Sequence, residues 1–119
     1  MSKKILVVDD DPKVIFLMSE FLGGRGYAVI SALNGEEALE TTRRSKPDLI
    51  LLDVQMPKLD GDEVYMTLKG DANTKNIPIL MLTGLRSEKE IIENKEENIF
   101  AKPVNLEELL KKIKEILGN

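Results

Sequence analysis

Two short acidic segments are the first place to look for chemistry. Asp9-Asp10-Asp11 directly follows an apolar run at residues 5–8, and Asp53 directly follows a second run at 49–52. Thr83-Gly84 follows a run at 79–82, and Lys102-Pro103 follows a weaker one at 99–101. Carboxylates brought together repel one another, and a bound cation or a proton relieves that cost. The chain contains no histidine and no cysteine. This excludes disulfides, thiol nucleophiles, Ser-His and Cys-His triads, zinc sites built on Cys or His, and phosphohistidine chemistry on this chain. Carboxylates, amines and hydroxyls remain, together with a hard cation held by oxygen ligands, Mg²⁺ above all.

Taken singly, each of these residues has a plainer role. Asp11 reads as a helix cap, Asp9 and Asp10 as solvated turn residues, and Asp53 as the start of a loop. Thr83 reads as a strand-end hydroxyl bonded to backbone, and Lys102 as an exposed lysine. Their joint placement is what points to a site, so the elements that carry them decide the matter.

The runs at 5–8, 28–30, 49–52 and 79–82 are apolar without alternation, which suits strands buried on both faces of a helix-covered parallel sheet. Residues 99–101 are a fifth candidate. Helical patterns lie between them. Asp11-Pro12 opens one with a cap and a proline at the first helical position, and Val14, Leu17, Met18 and Phe21 recur at helical spacing until Gly23-Gly24. Asn34 with Glu37 opens a second, faced by Ala38 and Leu39, and Val64 and Leu68 face a third that ends at Gly70. Ser87 with Glu90 has the spacing of a capping box, but only Ile91 and Ile92 follow as an apolar face. Asn105 and Glu108 open the last helix, whose stripe is Leu106, Leu109, Leu110, Ile113, Ile116 and Leu117. The polar stretch 71–76 reads as a surface loop. Five strands alternating with helices predict an α/β, doubly wound parallel sheet. The strand order 2-1-3-4-5 is a common one for it, with the ligand crevice at the carboxyl ends of strands 1 and 3.

Composition sets the outer bounds. A chain of 119 residues has room for one domain, and 42% hydrophobic with 32% charged residues predicts a buried core and a soluble surface. The longest apolar run, at 14–18, is far short of the ~20 residues of a membrane span. No charged-then-apolar leader opens the chain, so no secretory signal is expected. Seventeen basic residues against 21 acidic ones leave a net charge of −4, which argues against direct nucleic-acid binding.

Four segments, in order and at suitable spacing, carry a family resemblance: Val7-Val8-Asp9-Asp10-Asp11; Asp53-Val54-Gln55-Met56-Pro57-Lys58-Leu59-Asp60-Gly61; Leu82-Thr83-Gly84; and Lys102-Pro103. Over the whole chain, 1–119, the sequence resembles the receiver domain of two-component response regulators of the chemotaxis-regulator type. The resemblance implies a single flavodoxin-like domain and a phosphorylation-dependent signalling switch, not a turnover enzyme. It implies that Asp53 is the phosphoacceptor. Asp10 and Asp53 would hold Mg²⁺ with the Gln55 backbone carbonyl, and Asp9 would act through a metal-bound water. Thr83 would hydrogen-bond one phosphoryl oxygen and Lys102 would pair with another. The implied partners are a sensor histidine kinase or phosphotransfer protein and a downstream effector protein or domain, with no membrane and no direct nucleic acid; the implied location is cytoplasmic.

Two features depart from the family pattern. Three residues before Lys102, where an aromatic is usual, stands Ile99, with Phe100 beside it. The stretch from Thr83 to Lys102 is short, and its helical part is crowded with charge, from Glu88 to Glu97. A degenerate receiver acting as a phosphorylation-independent interaction module is the nearest alternative; Ile99 speaks for it, and the intact Asp9, Asp10, Asp53, Thr83 and Lys102 speak against it. A haloacid-dehalogenase-like phosphatase shares an Asp-x-Asp after the first strand, but the chain is too short for its cap and Leu82 leads into Thr83-Gly84 in place of an acidic pair. Five aromatic residues and no tryptophan leave little to stack on a flavin.

Overall fold

In the computed structural model, which describes residues 2–53, 61–83, 99–101 and 105–118, strands and helices alternate as expected. The order is β1 (Lys4–Val8), α1 (Pro12–Gly23), β2 (Ala28–Ala32), α2 (Gly35–Ser45), β3 (Leu49–Asp53), α3 (Gly61–Gly70), β4 (Ile79–Thr83), β5 (Ile99–Ala101) and α4 (Leu106–Leu117). All neighbouring strands pair in parallel, in the order β2-β1-β3-β4-β5. The helix expected after Ser87 lies outside the described residues.

Unalternated strands have two apolar faces, and each face has its own cover. Ile5 and Val7 of β1, Leu49 and Leu51 of β3, and Leu80 and Leu82 of β4 pack with Met18 and Leu22 of α1 and Leu109, Leu110 and Ile113 of α4. The intervening residues Leu6, Val8, Ile50, Leu52, Ile79 and Met81 pack with Ala38 of α2 and Val64 and Leu68 of α3. The result is three layers, helix on sheet on helix. β2 departs from the sequence reading. Its Ala28 and Ser31 are exposed and only Ala32 is buried, because it pairs with β1 alone and forms an edge of the sheet.

The helix boundaries have identifiable chemistry. Asn34 Oδ1 accepts the Glu37 N–H at 2.9 Å, while Glu37 Oε1 accepts the N–H of Leu33 at 2.7 Å, one residue earlier than a reciprocal capping box would place it. Asn105 Oδ1 accepts the Glu108 N–H at 3.1 Å, and the helix ends at Gly118, whose φ of 79° is one that glycine adopts freely. The buried face of α1 is largely the one expected: Met18 is buried, and Val14 and Phe21 pack against the core. Leu17 is 54% exposed, whereas Leu22 is fully buried and Ile15 packs against the core. In the turn after α1 the Tyr27 N–H bonds back to the Leu22 carbonyl at 3.2 Å, and Tyr27 joins Leu22 in the core. The stretch 71–76 is also more than a surface loop: Thr74 is 2% exposed, and its Oγ1 donates to the Leu68 carbonyl of α3 at 2.7 Å.

Candidate metal centre

Strand register brings the acidic residues together. Val8 of β1 lies opposite Leu52 of β3, so Asp9 and Asp53, each the next residue in its chain, emerge level at the carboxyl edge of the sheet. β1 and β3 are also the strands between which the order reverses, since the chain leaves β1 toward β2 on one side and leaves β3 toward β4 on the other. Such a switch point leaves a crevice that no connecting segment fills. Carboxylate oxygens of Asp9, Asp10 and Asp53 lie within 4.8 Å of one another there. They form the one acidic cluster of this kind among the described residues.

The three differ in environment. Asp9 and Asp53 are 2% and 5% exposed, and Asp10 is exposed. The Asp9 N–H donates to the Ala32 carbonyl of β2 at 3.1 Å, and Asp9 Oδ1 accepts the N–H of Asp11 at 2.9 Å. Asp11 in turn caps α1, its Oδ1 accepting the Lys13 N–H at 2.9 Å. An all-oxygen set with two buried carboxylates and one at the mouth suits a hard, hydrated cation reached from solvent. The residues present therefore fit Mg²⁺.

The other expected site residues stand as follows. Thr83 ends β4, one step beyond the pairing of Asp53 with Leu82, so its backbone is at the same edge; its side chain lies outside the described residues. Thr83 pairs with Ala101 of β5, which places Lys102 next in the chain after the last paired residue. Lys102 and Gln55 themselves lie outside the described residues. The cap role read for Asp11 holds, but the bond from its N–H to Asp9 is an additional one. The signal for it was in the sequence: Asp followed two residues later by a turn N–H is the spacing of an Asx turn. Among the described residues, no helix is long and apolar enough to cross a membrane.

The chain is similar to known proteins over nearly its whole length. Residues 5–114 match the family model of the response regulator receiver domain. The alkaline phosphatase synthesis transcriptional regulatory protein PhoP of Bacillus subtilis is 42% identical over 98% of this chain, which spans about half (49%) of that protein. The polar-differentiation response regulator DivK of Brucella anthropi is 33% identical over 100% of this chain and 99% of its own. Among solved structures, the chemotaxis protein CheY4 of Vibrio cholerae superposes with a TM-score of 0.87 at 34% identity, covering 98% of this chain and 99% of that one.

Proposed function

This chain belongs to the response regulator receiver domain family, and we propose that Asp53 is the phosphoacceptor through which residues 1–119, as one receiver domain, act as a phosphorylation-dependent switch of a two-component system. The observation that carries this reading is the cluster of three carboxylates within 4.8 Å at the β1/β3 switch point. In the transfer, an Asp53 carboxylate oxygen attacks the phosphorus of a phosphohistidine on the partner. The new P–O bond forms as the P–N bond breaks, and the imidazole nitrogen leaves with the electron pair and takes up a proton. Phosphoryl transfer asks little covalent chemistry of the protein and much alignment and charge neutralisation.

Asp9, Asp10 and Asp53, with the Gln55 carbonyl, would hold Mg²⁺. When bound, the ion supplies positive charge against the carboxylates and the incoming phosphoryl oxygens. Thr83 donates its hydroxyl to one phosphoryl oxygen, and the Lys102 ammonium pairs with another. Asp53 sits at the end of a fully buried strand, so its backbone is held still while the attack geometry is reached. The only reactions assigned to the chain are its own phosphorylation and the hydrolysis of its acyl phosphate; it is not a turnover enzyme. Its partners are a sensor histidine kinase or phosphotransfer protein in the cytoplasm and a downstream effector protein or domain.

The test is labelling with a small phosphodonor. With Mg²⁺ and acetyl phosphate, intact mass should show one added phosphoryl group on the wild type and none on Asp53→Asn. Chelation of the divalent ion should nearly stop the reaction. Undiminished labelling of Asp53→Asn would remove Asp53 from this role.

A further inference from the structure

Asp11 stands beside the acidic cluster and is not one of its three members. Its groups are engaged in both directions. The N–H donates to Asp9 Oδ1 at 2.9 Å, the side-chain Oδ1 accepts the Lys13 N–H at 2.9 Å, and the carbonyl accepts the N–H groups of Val14 and Ile15 at 3.0 and 3.2 Å. Pro12 follows at the first helical position, where its restricted φ presets the geometry between residue 11 and the helix. Asp9, meanwhile, is buried with its main chain fixed by the bond to Ala32. The Asp11 N–H is therefore one contact that orients the Asp9 carboxylate, and the cap made by the Asp11 side chain, with the bonds to its carbonyl, holds that N–H in place.

We infer that Asp11 is a positioning residue for the cation: its side chain, by capping α1, holds the N–H that aims the Asp9 carboxylate, so the start of α1 and ion binding are coupled. This rests on the reading of the cluster as a Mg²⁺ site. Coupling is reciprocal: what the cap contributes to ion binding, the ion returns to the first turn of α1. Bound Mg²⁺ thus slows amide exchange at Lys13, Val14 and Ile15.

Two variants separate geometry from charge. Asp11→Asn and Asp11→Ala both remove a negative charge, but only asparagine keeps an oxygen able to accept the Lys13 N–H. The affinity for Mg²⁺ alone is read from amide shifts of isotope-labelled protein, and exchange at residues 13–15 is followed with and without the ion. Asp11→Ala should bind Mg²⁺ about fivefold more weakly, as a typical cap contribution of ~1 kcal/mol converts, and should lose the ion-dependent protection. Asp11→Asn should restore both to within about twofold of wild type, a margin well inside the spread among good caps. Equal weakening in both variants would mean that charge alone matters, and unchanged affinity in Asp11→Ala would mean that cap and site are independent; either result overturns the inference while the cation site stands. A wild-type chain that does not bind Mg²⁺ overturns the cation site and the inference together.

Discussion

Without a cation, the acidic cluster should make the fold less stable than the same fold with one charge removed. Asp10→Asn is the cleanest perturbation, because Asp10 is exposed and its replacement opens no cavity and buries no new group. The oxygens of Asp10 lie within 4.8 Å of those of both Asp9 and Asp53. Even with the screening of bulk water, each such pair repels by about 0.9 kcal/mol. Salt at physiological strength attenuates this only in part, since its screening length of about 8 Å exceeds the separation. A gain of about 1–2 kcal/mol follows, and for a domain of this size that corresponds to about 3–8 °C in melting temperature. Adding Mg²⁺ should close the gap. The wild type gains about 1.4 kcal/mol at ten times its dissociation constant, and Asp10→Asn, having lost a ligand, gains less. Thermal unfolding by circular dichroism, first in chelator and then along a Mg²⁺ series, reads both effects. A melting temperature for Asp10→Asn at or below wild type in chelator would refute the repulsion argument and make Asp10 a structural residue.

The outward place of Leu17 on α1 can be checked by a matched pair: Leu22→Ala should cost about 2–5 kcal/mol as a buried truncation, and Leu17→Ala no more than about 0.5 kcal/mol, in denaturant unfolding; similar losses would put Leu17 in the core, as its spacing predicts. Lys69 donates to the carbonyls of Lys75 and Ile77 at 3.2 and 3.0 Å, so Lys69→Met should cost about 1 kcal/mol at neutral pH. Burial holds the Lys69 ammonium below the usual 10.5, so in the window between its lowered folded value and 10.5 the unfolded chain keeps the proton that the folded chain has lost. Stability from this group therefore rises with pH across that window, and the advantage of wild type over Lys69→Met should widen there; a constant or narrowing difference in denaturation midpoints would contradict it.

The strands that build the site were legible because their burial is extreme. Leu49–Asp53 is buried at every position, and a run with no polar alternation leaves a parallel, doubly covered strand as the natural reading. The same logic misled at Ala28–Ala32. An edge strand of a parallel sheet still carries apolar residues toward two helical layers, Val29 to one and Ile30 to the other, so its run resembles that of a central strand. Of the expected α1 face only Leu17 lies outside the core: residues 14–18 are all apolar, and periodicity within such a run cannot choose every member that faces the sheet.

A similar division holds at the site. Asp9, Asp10 and Asp53 were recognisable because carboxylates announce themselves by type and because strand ends can be counted. Main-chain donors announce nothing: every residue but proline has an N–H, and the one at Asp11 matters only because α1 begins there and points it at Asp9. Thr74 makes the same point at the opposite end of the domain, where a hydroxyl in a polar stretch proved to be a buried partner for the Leu68 carbonyl. In both places the side chain visible in the sequence takes its effect from a backbone group that only the fold can place. For this reason substitutions at Asp11, which would be judged mild by residue type, should separate by geometry: asparagine retains the oxygen that holds the first turn of α1, and alanine does not.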